Sequence, residues 1–264
     1  MAAPKILAID IGNSCTNLGV FEGSALIAKD FFPSSPEYAD KIRLRVEDWQ
    51  KERPFERAVI SSVAPALGDL LVTIIEEQTE KKPIMVEACK TQLLPLLVDR
   101  PETVGVDRIV NCCAAIHYYG APAIVVSLGT ATTFEAISAQ GEYLGGAIAP
   151  GVKISLEALT QRTALLPPVI WKKPKQIIAK NTIGHMESGI YYGTISLIEG
   201  MAKRIKAVLG EKTAVIGTGG ISALLADENV FDYYDPFLTL RGLELIYRRL
   251  CGHESSAMIP PFQE

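Results

Sequence analysis

The chain has 264 residues, of which 48% are hydrophobic, and its formal net charge is -4. This length suits one large core or two modest ones, because domains cluster at roughly 100 to 150 residues. The acidic balance gives no sign of the clustered Lys and Arg that bind nucleic acid or anionic membranes, and no apolar run reaches the roughly 18 residues of a membrane span. We therefore expect a cytoplasmic protein that acts on small molecules, with no nucleic acid and no membrane as partner.

Strands and helices alternate along the sequence, which is typical of α/β folds. Apolar stretches predict strands over 5–12, 16–28, 57–63, 123–137 and 214–218. Apolar residues at three-to-four spacing predict helices over 68–78, 104–119, 153–162, 181–209 and 238–251. The charged run over 40–53 predicts a solvated helix. The predicted helix over 181–209 contains Gly189, Gly193 and Gly200, and each glycine weakens a helix by roughly 1 kcal/mol relative to alanine. Three such residues in one helix indicate that it packs closely against another backbone, such as that of a second chain in a homodimer.

Two stretches of the sequence repeat one pattern. Residues 6–20 read ILAIDIGNSCTNLGV and residues 125–137 read VVSLGTATTFEAI. In each, an apolar strand leads to a polar residue, then to glycine and to hydroxyl or amide side chains. The polar residue is Asp10 in the first copy and Ser127 in the second. The repeat predicts a duplicated α/β domain, with an N-terminal domain over 1–120 and a C-terminal domain over 121–264.

A pair of such turns has a physical use in phosphate binding. Backbone amides of the two turns can hold a phosphate chain from opposite sides of a cleft, while an aspartate holds Mg²⁺ through water. A third glycine turn, in VIGTGGISALLA over 215–226, would let the backbone approach adenine and ribose. The GxxxxGK[ST] and GxGxxG motifs of other nucleotide-binding folds are absent from the sequence. The pattern favours a phosphotransferase, and the alternative is that these turns are simple tight connections.

The segment GVDRIVN, residues 105–111, places Asp107 and Arg108 in the first turn of a predicted helix. By residue type alone, Asp107 can be a helix-start residue paired with arginine. In the functional interpretation, Asp107 accepts a proton from a substrate hydroxyl and Arg108 pairs with a substrate carboxylate. A carboxylate of pKa about 4 is a weak base, but it suffices because phosphoryl transfer depends mainly on positioning.

Taken in order, these motifs resemble those of the type III pantothenate kinases, members of the superfamily that includes actin, hexokinase and acetate kinase. The matching segments cover nearly the whole chain and are DIGNS, GVDRIVN, GTATTFEAI, GGAIAPGVKIS, KNTIGHMESGIYYG and DPFLTLRGLELIY. The resemblance implies duplicated ribonuclease H-like (actin-like ATPase) domains with a central cleft. It also implies ATP-dependent phosphorylation of pantothenate, the first step of coenzyme A synthesis, in a homodimer whose active sites use both chains.

The resemblance also implies roles for individual residues. The nucleotide-phosphate turn falls on Asp10, Ile11, Gly12, Asn13, Ser14, Cys15, Thr16 and Asn17, and Thr130 joins it from the second hairpin. The pantothenate contacts fall on Gly105, Val106, Asp107 and Arg108, with Asp107 as the catalytic base, and on Thr182. Mg²⁺ would accompany ATP near Asp10.

Two positions depart from the family pattern. The family has an aspartate at the position of Ser127, where it helps to bind K⁺ or NH₄⁺, and often a tyrosine in the substrate pocket at the position of Val98. A hydroxyl offsets the dehydration of a monovalent ion less well than a carboxylate does, so the ion would bind weakly or not at all. If the hairpin turns about Ala131, Glu135 lies opposite Ser127 with Cβ atoms roughly 5 Å apart and supplies the lost charge. The alternative is that Glu135 is an exposed strand residue.

Three functional hypotheses follow from these residues. The first is an active pantothenate kinase whose dependence on a monovalent cation is altered or absent. The second is a catalytically silent homologue that acts as an accessory or regulatory binding protein, and the third is a kinase with a changed acceptor. The retained residues Asp10, Asp107, Arg108, Thr130 and Thr182 favour an active kinase.

Overall fold

The computed structural model describes residues 4–87 and 93–252, and these form two compact units. One unit contains the described residues up to His117 together with the segment that begins at Leu238, and the other contains Tyr118–Phe237. The boundary between the two units, between His117 and Tyr118, thus lies close to the predicted domain boundary between residues 120 and 121. The C-terminal helix requires a correction, because it belongs to the first unit rather than to the second.

The strands and helices of the described residues alternate as the sequence predicts. The strands are β1 (Lys5–Ile11), β2 (Cys15–Glu22), β3 (Ala25–Pro33), β4 (Arg57–Ser62), β5 (Ile84–Met85), β6 (Ala123–Leu128), β7 (Ala131–Ile137), β8 (Tyr143–Pro150), β9 (Ala214–Thr218) and β10 (Tyr233–Tyr234). The helices are α1 (Ala39–Glu52), α2 (Pro65–Thr79), α3 (Val106–Tyr119), α4 (Val152–Arg162), α5 (Thr182–Leu209) and α6 (Leu238–Leu250). None of these helices combines the length and the hydropathy that crossing a membrane requires.

The first unit is built on a sheet with the order β3-β2-β1-β4-β5. β2 runs antiparallel to both β1 and β3, whereas β4 is parallel to β1 and β5 is parallel to β4. The stretch predicted as one strand over 16–28 is two strands, because the chain turns between them at Gly23, whose φ of 58° suits glycine.

Helices cover both faces of the first sheet. The odd-numbered side chains of β1 pack against α1 and α2, and the even-numbered side chains Ile6 and Ala8 pack against α3 and α6. The prediction of a solvated helix over 40–53 is wrong for one face of α1, because Ile42, Val46 and Trp49 are buried in the core. The apolar side chains of α6 share the core of α3, which is why this helix belongs to the first unit.

The second unit repeats the first in its strand connections. Its sheet has the order β10-β9-β6-β7-β8, in which β6 pairs antiparallel with β7 and parallel with β9, just as β1 pairs with β2 and β4. α5 packs Tyr191 and Ile198 against Val126 and Phe134. The predicted duplication is therefore confirmed at the level of topology.

Gly189, Gly193 and Gly200 of α5 do not meet the predicted backbone neighbour among the described residues. A Cβ atom at Gly189 or Gly193 would have no other atom of the described residues within 4 Å. At Gly200 the nearest atom is Nη1 of Arg204, at 3.2 Å. Packing against a second chain stays a prediction.

Candidate active site

The carboxylate of Asp10 lies near the end of β1 and is held from both neighbouring strands. The register pairs Asp10 with Asn17 of β2 and with Ser61 of β4. Ser61 Oγ donates a hydrogen bond of 2.9 Å to Asp10 Oδ1, and Asn17 Nδ2 donates one of 3.4 Å to Oδ2. Asp10 is 8% exposed and Ser61 is fully buried. We call Asn17, Asp10 and Ser61 the charged row.

Asp10 also interacts with the predicted base. The pKa of Asp10 is raised from 3.8 to about 6, first by burial and then by the negative charge of Asp107, while the hydrogen bonds from Ser61 and Asn17 act in the opposite direction. Asp10 follows Ile6 and Ala8 in the alternation of β1, so its side chain lies on the sheet face that α3 covers. The first unit therefore brings Asp10 and Asp107, predicted from separate motifs, into one electrostatic site.

The turn between β1 and β2 presents its polar residues to solvent. Gly12 N donates to Cys15 O at 3.0 Å, and a Cβ atom on Gly12 would meet the same oxygen at 2.9 Å, so the turn is closed too tightly for a side chain. Asn13 and Ser14 at its tip are exposed. Ile11 and Thr16 are fully buried, so neither residue is exposed to a ligand.

Gly105 and Asp107 are packed together at the start of α3. A Cβ atom on Gly105 would lie 2.6 Å from Asp107 Oδ1, so a residue with a side chain there would displace the carboxylate. Asp107 and Arg108 are partly exposed, whereas Val106 is buried in the core under β1. Val98, in the approach to this helix, is partly buried.

In the second unit, the residue that corresponds to Asp10 is Ser127. It lies near the end of β6, where the register pairs it with Thr133 of β7 and with Thr218 of β9. We call Thr133, Ser127 and Thr218 the neutral row. Thr218 is 2% exposed and Ser127 is partly exposed.

The predicted pairing of Ser127 with Glu135 is wrong. Glu135 pairs with Val125, because the hairpin is centred on Thr130 rather than on Ala131. Glu135 is also not an exposed strand residue: it is 1% exposed, and its Oε2 accepts a hydrogen bond of 2.8 Å from the Tyr143 hydroxyl. Glu135 and Ser127 share a sheet face only as diagonal neighbours, whose Cβ atoms are typically about 7–8 Å apart.

Thr130 lies at the exposed tip of the β6–β7 hairpin. A Cβ atom on Gly151, just before α4, would meet Thr130 O at 2.3 Å, so only glycine lets the two backbones approach this closely. The third glycine turn lies beside this hairpin, since Ile221 N donates to Leu128 O at 3.3 Å. The second unit thus brings two of the predicted glycine turns together.

Thr182 lies at the start of α5, on the wall of an apolar cavity. Asn181 caps this helix by accepting a hydrogen bond of 2.9 Å from Gly184 N. The cavity has a volume of about 310 Å³ and is lined by Leu159, Leu166, Thr182, His185, Met186, Gly189 and Ile190. Thr182 is thus exposed to a space that a small molecule could enter.

Ser61 was not predicted from the sequence as a partner of Asp10. Its signal was present, because the predicted strand over 57–63 contains Ser61 and Ser62 where its neighbours are apolar. Only the register of β4 against β1 shows which of the two serines meets the carboxylate.

No group of three or more histidine, cysteine, aspartate or glutamate side chains among the described residues could hold a metal ion.

Known proteins match both the sequence and the fold. A family model described as type III pantothenate kinase matches residues 6–204. The type III pantothenate kinases of Moorella thermoacetica and Desulforapulum autotrophicum are both 42% identical to this chain; the matches cover 92% and 91% of this chain and 99% and 95% of the relatives.

Two solved structures show the fold alone. A Baf family protein from Campylobacter jejuni matches with a TM-score of 0.60 at 21% identity, and the ROK hexokinase from Thermus thermophilus matches with a TM-score of 0.50 at 15% identity. Each match covers 93% of this chain and 99% of the other. The predicted α/β fold is therefore one that this chain shares with both proteins. The family model and the relatives at 42% identity decide the family: this chain belongs to the type III pantothenate kinases.

Proposed function

We propose that this protein transfers a phosphoryl group from ATP to pantothenate, giving 4′-phosphopantothenate in the first step of coenzyme A synthesis in the cytoplasm. The observation that carries the proposal is the electrostatic interaction of Asp10 with Asp107. This interaction indicates that Asp107, a carboxylate suited to receive a proton, lies near Asp10, which precedes a turn suited to phosphate binding. The names of the relatives supply the acceptor, pantothenate.

The nucleotide would bind at the turn after β1. Exposed Asn13 and Ser14 would face its phosphates, and the resemblance to the family assigns a further nucleotide contact to exposed Thr130. Each carboxylate oxygen of Asp10 accepts one hydrogen bond from the described residues, so lone pairs remain for the water shell of Mg²⁺. Bound Mg²⁺ would neutralise charge on the transferred phosphoryl group.

Asp107 would act as the base and Arg108 would hold the acceptor. Asp107 would accept the proton of the pantothenate hydroxyl as the oxygen attacks the phosphoryl group, while the guanidinium of Arg108 would pair with the pantothenate carboxylate. The first turn of α3 presents both side chains, and Gly105 keeps the space beside the carboxylate open. Positioning of this kind is the main requirement of phosphoryl transfer.

Thr182 would contribute to pantothenate binding, as the resemblance to the family implies. The apolar lining of the cavity beside it suits the methyl groups of pantothenate. A homodimer would complete the site with residues of both chains, and the open space at Gly193 would receive the second chain. Val98, where the family often has tyrosine, would leave more room at the acceptor.

The requirement for K⁺ or NH₄⁺ would be weak or absent. The neutral row offers hydroxyl oxygens and no carboxylate near the end of β6. The buried carboxylate of Glu135 lies two residues further along β7 and already accepts from Tyr143. A monovalent ion therefore has less charge at Ser127 to offset its dehydration.

The test is ADP release from ATP and Mg²⁺, with and without pantothenate, in sodium, potassium and ammonium buffers. We expect pantothenate-dependent turnover in all three buffers, with phosphopantothenate identified by mass spectrometry. Turnover only in potassium or ammonium would contradict the loss of the cation requirement. No turnover in any buffer would reject the proposed reaction and favour a silent homologue or a changed acceptor.

A further inference from the structure

Asn111 lies one helical turn after Asp107 and is held by the C-terminal helix. Thr239 Oγ1, in the first turn of α6, donates a hydrogen bond of 2.7 Å to Asn111 Oδ1. Asn111 is 5% exposed. The hydrogen bond fixes the side-chain amide, because a buried amide that has one firm partner is restricted in its rotation.

The backbones of α3 and α6 approach closely beside this hydrogen bond. A Cβ atom on Gly242 would lie 2.5 Å from Val110 O, so α6 can contact α3 here only through glycine. Val110, Leu243 and Ile246 belong to one apolar core. The position of Asn111 is thus set by both packing and hydrogen bonding.

The amide nitrogen of Asn111 has no such partner. No hydrogen bond joins its Nδ2 atom to any other described residue, and Nδ2 is not among the unpartnered atoms that are fully shielded from solvent, so it keeps some access to solvent. Residues four apart on a helix share a face, which places Asn111 beside Asp107. A ligand oxygen that accepts from this amide would replace water as its partner and shield the hydrogen bond from solvent, so such a ligand gains affinity.

We propose that Asn111 is a further acceptor-binding residue: Thr239 holds its amide oxygen, and its amide nitrogen donates a hydrogen bond to an uncharged oxygen of the acceptor bound beside Asp107. The inference rests on the proposed kinase function. An uncharged hydroxyl or amide oxygen fits a neutral donor, whereas the acceptor carboxylate is matched by Arg108.

The test compares steady-state constants of Asn111→Ala, Thr239→Val and Thr239→Ser with those of the unaltered full-length protein. We expect Asn111→Ala to raise the KM for pantothenate about tenfold while the KM for ATP stays unchanged. Thr239→Val, which removes the donor to Oδ1, gives a smaller rise of the same kind, and Thr239→Ser restores the original value. A purely structural role would lower the melting temperature without this selective change in KM.

A matched control is Thr213→Val in the second unit, where a buried threonine hydroxyl likewise donates to an oxygen, Gly210 O at 2.6 Å. It should leave both KM values unchanged. An unchanged KM for pantothenate in folded Asn111→Ala overturns the inference while the kinase function stands. If Asn111→Ala does not fold, an unchanged KM for pantothenate in folded Thr239→Val overturns the inference instead. If calorimetry and turnover show that the unaltered protein neither binds nor phosphorylates pantothenate, both proposals fail.

Discussion

The two sheets share one topology but end their central strands with different chemistry. In the first unit, β1 ends in the charged row, in which Asp10 accepts hydrogen bonds from Asn17 and Ser61. In the second unit, β6 ends in the neutral row, which contains only hydroxyl side chains. A duplicated fold has thus kept its backbone pairing while only one copy has kept an ionisable group at this position.

The second unit does hold a carboxylate on the same sheet face, one row further from the turn. There Val125 pairs with Glu135, whereas the equivalent row of the first unit pairs Ala8 with Gly19. Glu135 is buried against Tyr143, and Asp10 lies beside the turn proposed to bind phosphate. The comparison indicates a chemical role for the carboxylate of the first unit and a structural role for that of the second.

The largest expected effect on turnover comes from removing the charge of Asp107, which acts on Asp10 in the charged row. Asp107→Asn should lower kcat by about 10² to 10⁴-fold, because the substrate hydroxyl loses its base. ATP binding should be retained, and the pKa of Asp10 should fall, since the charge of Asp107 helps to raise it. Turnover and calorimetric ATP binding measure the two effects. Asp69→Asn, an exposed site on α2, is the control and should behave like the unaltered protein, while near-normal turnover in Asp107→Asn would exclude Asp107 as the base.

Asp10→Asn would make the first row neutral, like the second. The pKa of Asp10 is raised from 3.8 to about 6 in the folded protein, so its ionisation opposes folding as the pH rises through this range. Removing the charge should therefore raise the free energy of unfolding by up to about 3 kcal/mol above pH 6. The gain should shrink towards zero below pH 4.

Urea unfolding at pH 4 and pH 8 measures this stability difference in the protein without nucleotide. Asp69→Asn again serves as the control, because its exposed carboxylate should give no comparable dependence on pH. A gain of equal size at both pH values would show that the charge of Asp10 is not its source.

The sequence was sufficient to predict the repeat, the fold class and the residues of both turns. Asp10 and Ser127 stand out because each interrupts an apolar strand just before glycine. The helix start at Asp107 was also predictable, because GVDRIVN combines charged residues with an apolar three-to-four spacing. These signals are local, since each depends on residues within one or two turns of the chain.

The partners that act across the sheet were not predictable from such signals. A shift in the centre of the hairpin by one residue, from Ala131 to Thr130, moved the partner of Ser127 from Glu135 to Thr133. The return of α6 to the first unit depends on packing between residues more than 100 positions apart, as in the hydrogen bond from Thr239 to Asn111. Propensity and periodicity carry no information about such distant pairings.

Ser127→Asp would give the second unit the charge of the first and sharpen the comparison. If the neutral row is the reason for a weak cation requirement, this variant should show about tenfold stronger activation by potassium, because a carboxylate offsets ion dehydration better than a hydroxyl. Turnover measured against potassium concentration at constant ionic strength gives the effect. Ser127→Asn introduces a side chain of similar shape to aspartate but without its charge, and it should show no stronger activation by potassium. Equal responses of the two variants would show that charge at this position does not control the ion.

The smallest effect is expected where the carboxylate is structural. Tyr143→Phe removes a donor from the buried carboxylate of Glu135 and should lower the free energy of unfolding by about 1–2 kcal/mol, measured by urea unfolding. Tyr234→Phe, at a partly exposed tyrosine of the same sheet, is the control and should have little effect. The response of turnover to potassium should not change in Tyr143→Phe, because Glu135 lies one row away from Ser127. If potassium activation changed while stability did not, Glu135 would act on the cation after all, and the two units would each use a carboxylate in catalysis.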